Sequence, residues 1–424
     1  MKRKRLVSLL YAVIFCYVAA SASADPPPQF PQNATFTTLI TLPRAVEGLT
    51  GDGVNNLYIG GSGTPPCPIW QINLHKPTLT VVGNITPGGG NCAFSGITFD
   101  AAGNLYQADG TAGRIYKVVK PNAKNPPDAT IFASGVPGTN GLAFDADGNL
   151  WTGGGITGLG RVWKIIGPNA DCTPASLYNC EEVLRIQPMR NGTDLGGNVS
   201  AQAGITTQGV GRQNRDFAPG TLTITVPAST SDTVVTPAGG QDLVANGIAF
   251  NRQGDMFVID TARGALWKVQ FDRRGNLKSP VGCDTTFTPD TLCLSNVFVA
   301  NPILEGGDGI ALDNAGNIWV DANERNAVAV VTKDGRVEEV FRNPVNSLNL
   351  RNSADTAEGN TNILEFPTSP FLTGKVFCTS QSDGNRRDNS PNTGGEIVPG
   401  SSILGKISCM DQELKIPGLP LPVH

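Results

Sequence analysis

One unit of sequence recurs five times along this chain, and it restricts the fold more than any other feature. Its second copy reads Gly96-Ile-Thr-Phe-Asp-Ala-Ala-Gly-Asn-Leu-Tyr-Gln-Ala-Asp109, and its third reads Gly141-Leu-Ala-Phe-Asp-Ala-Asp-Gly-Asn-Leu-Trp-Thr-Gly-Gly154. The others begin at Gly48, Gly247 and Gly309. Each copy has a short apolar strand, an Asp-x-x-Gly-Asn turn and a second strand led by an aliphatic or aromatic pair. Asp and Asn side chains bond their own backbone in such turns, and Gly supplies the positive φ.

A third strand follows in several copies, as in Gly113-Arg-Ile-Tyr-Lys-Val118 and Gly264-Ala-Leu-Trp-Lys-Val269. Alternation there assigns one face to the core and one to solvent. Outer strands at 130–133 and 337–341 complete four-stranded meanders. Such meanders repeated at this period predict an all-β, six-bladed β-propeller. The sixth unit is degenerate and is expected to run from Asn362 through Lys375–Thr379 to Leu404–Ser408. The segment Thr35–Thr41 has no partner nearby in sequence. It is expected to pair with the last blade and so remove an open edge. The step from Gly141 to Gly247 is about twice the others, which predicts an insertion at about 167–240 or a diverged seventh blade.

The chain opens on Met1-Lys-Arg-Lys-Arg5, continues with an apolar run from Leu6 to Ala20 and then reaches Ala22-Ser-Ala24. This order reads as a signal peptide, residues 1–24, removed on export to a secreted or periplasmic location. A Pro-rich linker (25–34), the propeller (35–415) and a C-terminal tail (416–424) follow. The apolar run is short for a membrane anchor. Lys and Arg number 32 against 36 Asp and Glu, with no basic patch, which argues against nucleic acid as a partner. A monomer is expected. After the signal, eight cysteines remain, an even count that reads as disulfides in an exported protein. Proximity suggests Cys67–Cys92, Cys172–Cys180, Cys283–Cys293 and Cys378–Cys409, among the many pairings that eight cysteines allow.

The residue before each leading Gly is Glu47, Ser95, Asn140, Asn246 or Asp308. In a propeller the first strand of each blade lines the central channel, so these positions converge on the axis. Two carboxylates and two amide oxygens at one level suit a hard divalent ion, with Ca2+ expected. The other reading is local, because Asn-Gly and Asp-Gly are also ordinary turn dipeptides. Asp109, Asp260 and Asp321, at the ends of second strands, read as structural turn residues. With two histidines, His75 and the terminal His424, a Ser-His-Asp triad is not supported.

The ordered set Glu47-Gly48, Asn140-Gly141, Asn246-Gly247 and Asp308-Gly309 resembles the gluconolactonase/senescence-marker-protein (regucalcin) family, with its LRE-like six-bladed propellers. The resemblance runs from about Arg44 to Cys409. It implies one divalent cation held by Glu47, Asn140, Asn246 and Asp308, with Asp308 also the general base, acting on a lactone or related ester. Many lactonases of that family carry an Arg two residues before the first Asn and an Asp after it. This chain has Gly138 and Gly141 there, which argues against a sugar-acid substrate. Two other functions fit a propeller: a non-catalytic binder of protein or glycan, and a metal-independent strictosidine-synthase-like enzyme.

Overall fold

The computed structural model describes residues 30–31, 34–136, 138–154, 160–173, 175–186, 245–261, 264–278, 290–293, 296–304, 306–323, 327–342, 364, 366–382 and 405–422. The expected signal peptide, Cys283 and most of the expected insertion lie outside them. The described strands form six sheets, one per blade, and no α-helix accompanies them among the described residues.

The repeat unit supplies the inner two strands of five blades. In blade 3, Leu142–Phe144 pairs antiparallel with Leu150–Gly153, and in blade 5, Gly307–Leu312 pairs with Ile318–Ala322. The turn between them works as its residue types require. Asp145 Oδ1 accepts the backbone N–H groups of Asp147 and Asn149 at 3.0 and 2.8 Å. Its Oδ2 accepts Asn149 Nδ2 at 2.9 Å and Trp151 Nε1 at 2.8 Å. Gly148 sits at φ 81°, where a side chain would be strained. Asp313, Gly316, Asn317 and Trp319 repeat the arrangement in blade 5.

The apolar faces of adjacent blades make the core. Tyr106 of blade 2 meets Phe144 of blade 3 edge-to-face at 5.0 Å, and Trp151 of blade 3 meets Phe250 of blade 4 at 5.7 Å. Such pairs contribute about 0.5–1.5 kcal/mol beyond their area. Trp267 and Trp319 are buried completely or nearly so.

The ring closes as expected. Phe36–Thr41 pairs antiparallel with Lys406–Met410 as the outer strand of blade 6. Phe30, in the expected linker, is also buried and packs edge-to-face on Trp319 at 5.7 Å. Two places differ from the sequence reading. The inner strand of blade 6 is Pro367–Thr373, past the expected start of the unit near Asn362. Its two prolines disguise it, because they replace the Gly-apolar pattern. Cys180–Ile186, inside the expected insertion, is the fourth strand of blade 3. The tail is docked. Leu419 donates its N–H to Leu312 O, and Gly418 to Gly374 O.

Cys67–Cys92, Cys172–Cys180 and Cys378–Cys409 are bonded as proximity suggests. Cys293 is also disulfide-bonded, and its expected partner lies outside the described residues. These bridges fit an oxidising compartment.

Candidate metal centre at the channel mouth

The leading glycines explain how the inner strands meet. None of Gly48, Gly96, Gly141, Gly247 and Gly309 has a positive φ, so turn formation does not account for them. Asn246 and Asp308 lie inside strands, not in turns. Instead, each glycine backs onto the carbonyl of the equivalent residue in the next blade. An added Cβ would lie 2.2 Å from Ser95 O at Gly48, 2.3 Å from Asn140 O at Gly96 and 2.5 Å from Asn246 O at Gly141. At Gly247 it would lie 2.6 Å from Asp308 O, and at Gly309 2.4 Å from Thr368 O. The dipeptides are therefore a packing device that draws six inner strands around one axis. Thr368 takes the sixth place.

Glu47, Asn140, Asn246 and Asp308 all line one cavity of about 90 Å3 along that axis. Ser95 turns aside, its hydroxyl donating to Thr139 O at 2.8 Å. Below the ring the wall becomes apolar with Leu49, Ile97, Leu142, Ile248 and Ile310. Leu419, Leu421 and Pro422 of the tail line the same cavity from the other end, beside Leu312. The channel thus has a polar mouth and an apolar base floored by the tail.

Asp308 is the most constrained member. It is 4% exposed, and Asn323 Nδ2 donates to its Oδ2 at 2.8 Å. Burial first, and then the Glu47 carboxylate, push it well above the usual carboxylate range, while hydrogen bonds from Asn323 and Asn246 oppose the shift. Glu47 and Asp308 line the same cavity although their blades are not adjacent. Glu47 is set by the neighbouring blade 6: its carbonyl accepts Thr368 Oγ1 at 2.9 Å and the Ser380 hydroxyl.

This donor set fits a hard cation. Two carboxylates pressed together and amide side chains at the same level are oxygen donors whose repulsion a divalent charge would relieve. Among the described residues, no group of three or more His, Cys, Asp and Glu side chains is arranged to hold a metal, so the amides would have to complete any site here.

Family comparison identifies the two blades that carry Asn246 and Asp308. Residues 203–349 match the SMP-30/Gluconolactonase/LRE-like region. Solved structures similar to the chain include a luciferin-regenerating enzyme, 12% identical with a TM-score of 0.50, covering 91% of this chain and 98% of that one. Another is the calcium-binding protein regucalcin from Agrobacterium tumefaciens strain C58, 16% identical with a TM-score of 0.49, covering 92% and 96%. At such identities the likeness is one of fold. No curated protein matches the chain in sequence.

The repeat reading missed several partners of the ring. Thr368 was hidden in the degenerate blade. Asn323 and Thr261 follow the second strands, just beyond the unit that identifies the repeat. Asp321 is not a turn residue. It is fully buried in its strand, with Oδ2 accepting the Thr379 hydroxyl of blade 6 at 2.5 Å, and burial raises its pKa well above the usual value. Asp109 does cap its turn, accepting Ala112 N–H at 3.0 Å, although it too is buried.

Proposed function

We propose that this protein is an exported, metal-dependent hydrolase of lactones or related esters, with Ca2+ the expected ion at the channel mouth. The observation that carries this reading is the buried Asp308 carboxyl, held by Asn246 and Asn323 and crowded by Glu47 from across the ring. Glu47 and Asp308 would supply the charge, and Asn140 and Asn246 neutral oxygens. Bound there, the cation would act as a Lewis acid toward a substrate carbonyl oxygen.

Asp308 would accept a proton from the attacking water. The water oxygen bonds to the carbonyl carbon, the carbon–oxygen bond to the leaving alkoxide breaks, and that alkoxide takes up a proton. In a lactone, acid and alcohol remain one molecule. A sugar-acid substrate fits poorly. An Asp in place of Gly141 would drive its Cβ into Asn246 O, so this ring does not admit the acidic residue that family lactonases carry at that place.

The test is hydrolysis of a panel of lactones, esters and phosphotriesters, with and without chelator. Metal-dependent turnover that Glu47→Gln and Asp308→Asn both abolish supports the reading. Turnover indifferent to chelation overturns the metal site. If metal binds but nothing in the panel is cleaved, the propeller is a binding module for protein or glycan.

A further inference from the structure

In four blades the ring residue has a counterpart fifteen positions later, past the second strand: Ser62 for Glu47, Gly110 for Ser95, Thr261 for Asn246 and Asn323 for Asp308. In three of them a backbone hydrogen bond places it. Ser62 N–H bonds to Ala45 O at 2.9 Å, Gly110 to Ala93 O at 3.0 Å and Asn323 to Gly306 O at 3.0 Å. In all three the acceptor lies two residues before the ring residue, so the ladder extends one step and sets the counterpart beside it.

In two blades the counterpart's side chain reaches the ring residue itself. Asn323 Nδ2 donates to Asp308 Oδ2 at 2.8 Å, at a separation of fifteen. Thr261 Oγ1 accepts Asn246 Nδ2 at 3.3 Å, again at fifteen, and donates its own hydrogen to Gly307 O at 2.7 Å. Both side chains are nearly inaccessible: Thr261 is 1% exposed and Asn323 4%. The Asn323 amide must turn its nitrogen to the carboxylate, which leaves Oδ1 buried without a partner among the described residues. An orphaned buried oxygen costs about 1–3 kcal/mol. Packing alone would favour an apolar residue there, so the donor to Asp308 is the gain that offsets the cost.

We propose that Asn323 and Thr261 are positioning residues of the metal centre, fixing the carboxylate of Asp308 and the amide of Asn246. Asn323 engages Oδ2 and so fixes the orientation of the carboxylate. Thr261 takes one hydrogen of the Asn246 amide nitrogen and Asp308 the other, which leaves the amide oxygen as the donor atom toward the axis. The proposal rests on the metal-centre reading above. Partners of this kind are typically worth 10–100-fold in metal affinity.

Calcium titration calorimetry of the whole mature protein tests it, with thermal unfolding of each metal-free variant measured alongside. Asn323→Leu and Thr261→Val keep the approximate shape and remove the bonds. Each is expected to weaken Ca2+ binding by about 10–100-fold while the metal-free protein still unfolds cooperatively. If the parent binds Ca2+, Asp308→Asn loses it and both positioning variants bind like the parent, the proposal is wrong and the metal centre stands. If the parent does not bind, or Asp308→Asn binds like the parent, the metal centre falls and the proposal with it. Should Asn323→Leu fail to fold, Thr261→Val decides by the same criteria.

Discussion

Phe36 of the first strand lies directly opposite Met410 of the last, and this pair joins the two ends of the chain in one blade. Phe36 is fully buried and meets Phe377 edge-to-face at 5.9 Å and Phe341 at 5.0 Å. Phe36→Ala should therefore destabilise the protein by about 3–5 kcal/mol. Equilibrium denaturation measures this. A loss below about 0.5 kcal/mol, the range of surface substitutions, would mean that the closing strand adds little to the fold.

The same blade carries a covalent tie. Cys378 and Cys409 are directly opposite in neighbouring strands. Replacing both with Ala should cost about 2–5 kcal/mol. Non-reducing peptide mapping of the exported protein should recover Cys67–Cys92, Cys172–Cys180, Cys378–Cys409 and the fourth pair, Cys283–Cys293. A Cys283–Cys293 peptide found as free thiols would refute the last pairing.

The inner ring tolerates no side chain at its glycines. Gly247→Ala places a Cβ 2.6 Å from Asp308 O and 2.8 Å from Ile310 N, both backbone atoms that cannot swing away. It should cost about 1–3 kcal/mol or more through overpacking, and also weaken metal binding by moving Asp308. Gly89, with nothing within 4 Å of an added Cβ, is the control. Gly89→Ala should stay within about 0.5 kcal/mol of the parent.

Asp321 makes stability depend on pH. Burial raises its pKa in the folded protein, whereas the unfolded chain returns it to the ordinary range near 3.8. A raised folded pKa means that the folded state holds the proton more tightly. Its contribution is therefore complete below the unfolded value and is lost as pH rises through the folded one. The chelator-treated protein should show a melting temperature that falls as pH rises from the carboxylate range toward neutrality. Asp321→Asn, which stays neutral throughout, should flatten that slope. An unchanged slope in this variant would remove Asp321 as the cause.

What sequence alone determined about this protein is what depends on close neighbours. An Asp five residues or fewer from its Gly and Asn makes the same turn wherever it stands, so the blade hairpins were legible. Cysteines close in sequence meet for the same reason, and a residue type recurring at one register marked the channel mouth at Glu47, Asn140, Asn246 and Asp308. Tertiary structure alone decided what the leading glycines are for, because their contacts cross from blade to blade. It also decided that Thr368 and Ser380 hold the Glu47 carbonyl, over more than 300 residues of separation. The inner strand of blade 6 and the tail under the channel belong to the same class. Their sequences lack the repeat, and closing the ring is what gives them partners: the sixth inner strand is held between the fifth and the first, and Leu419 is held by the base of blade 5.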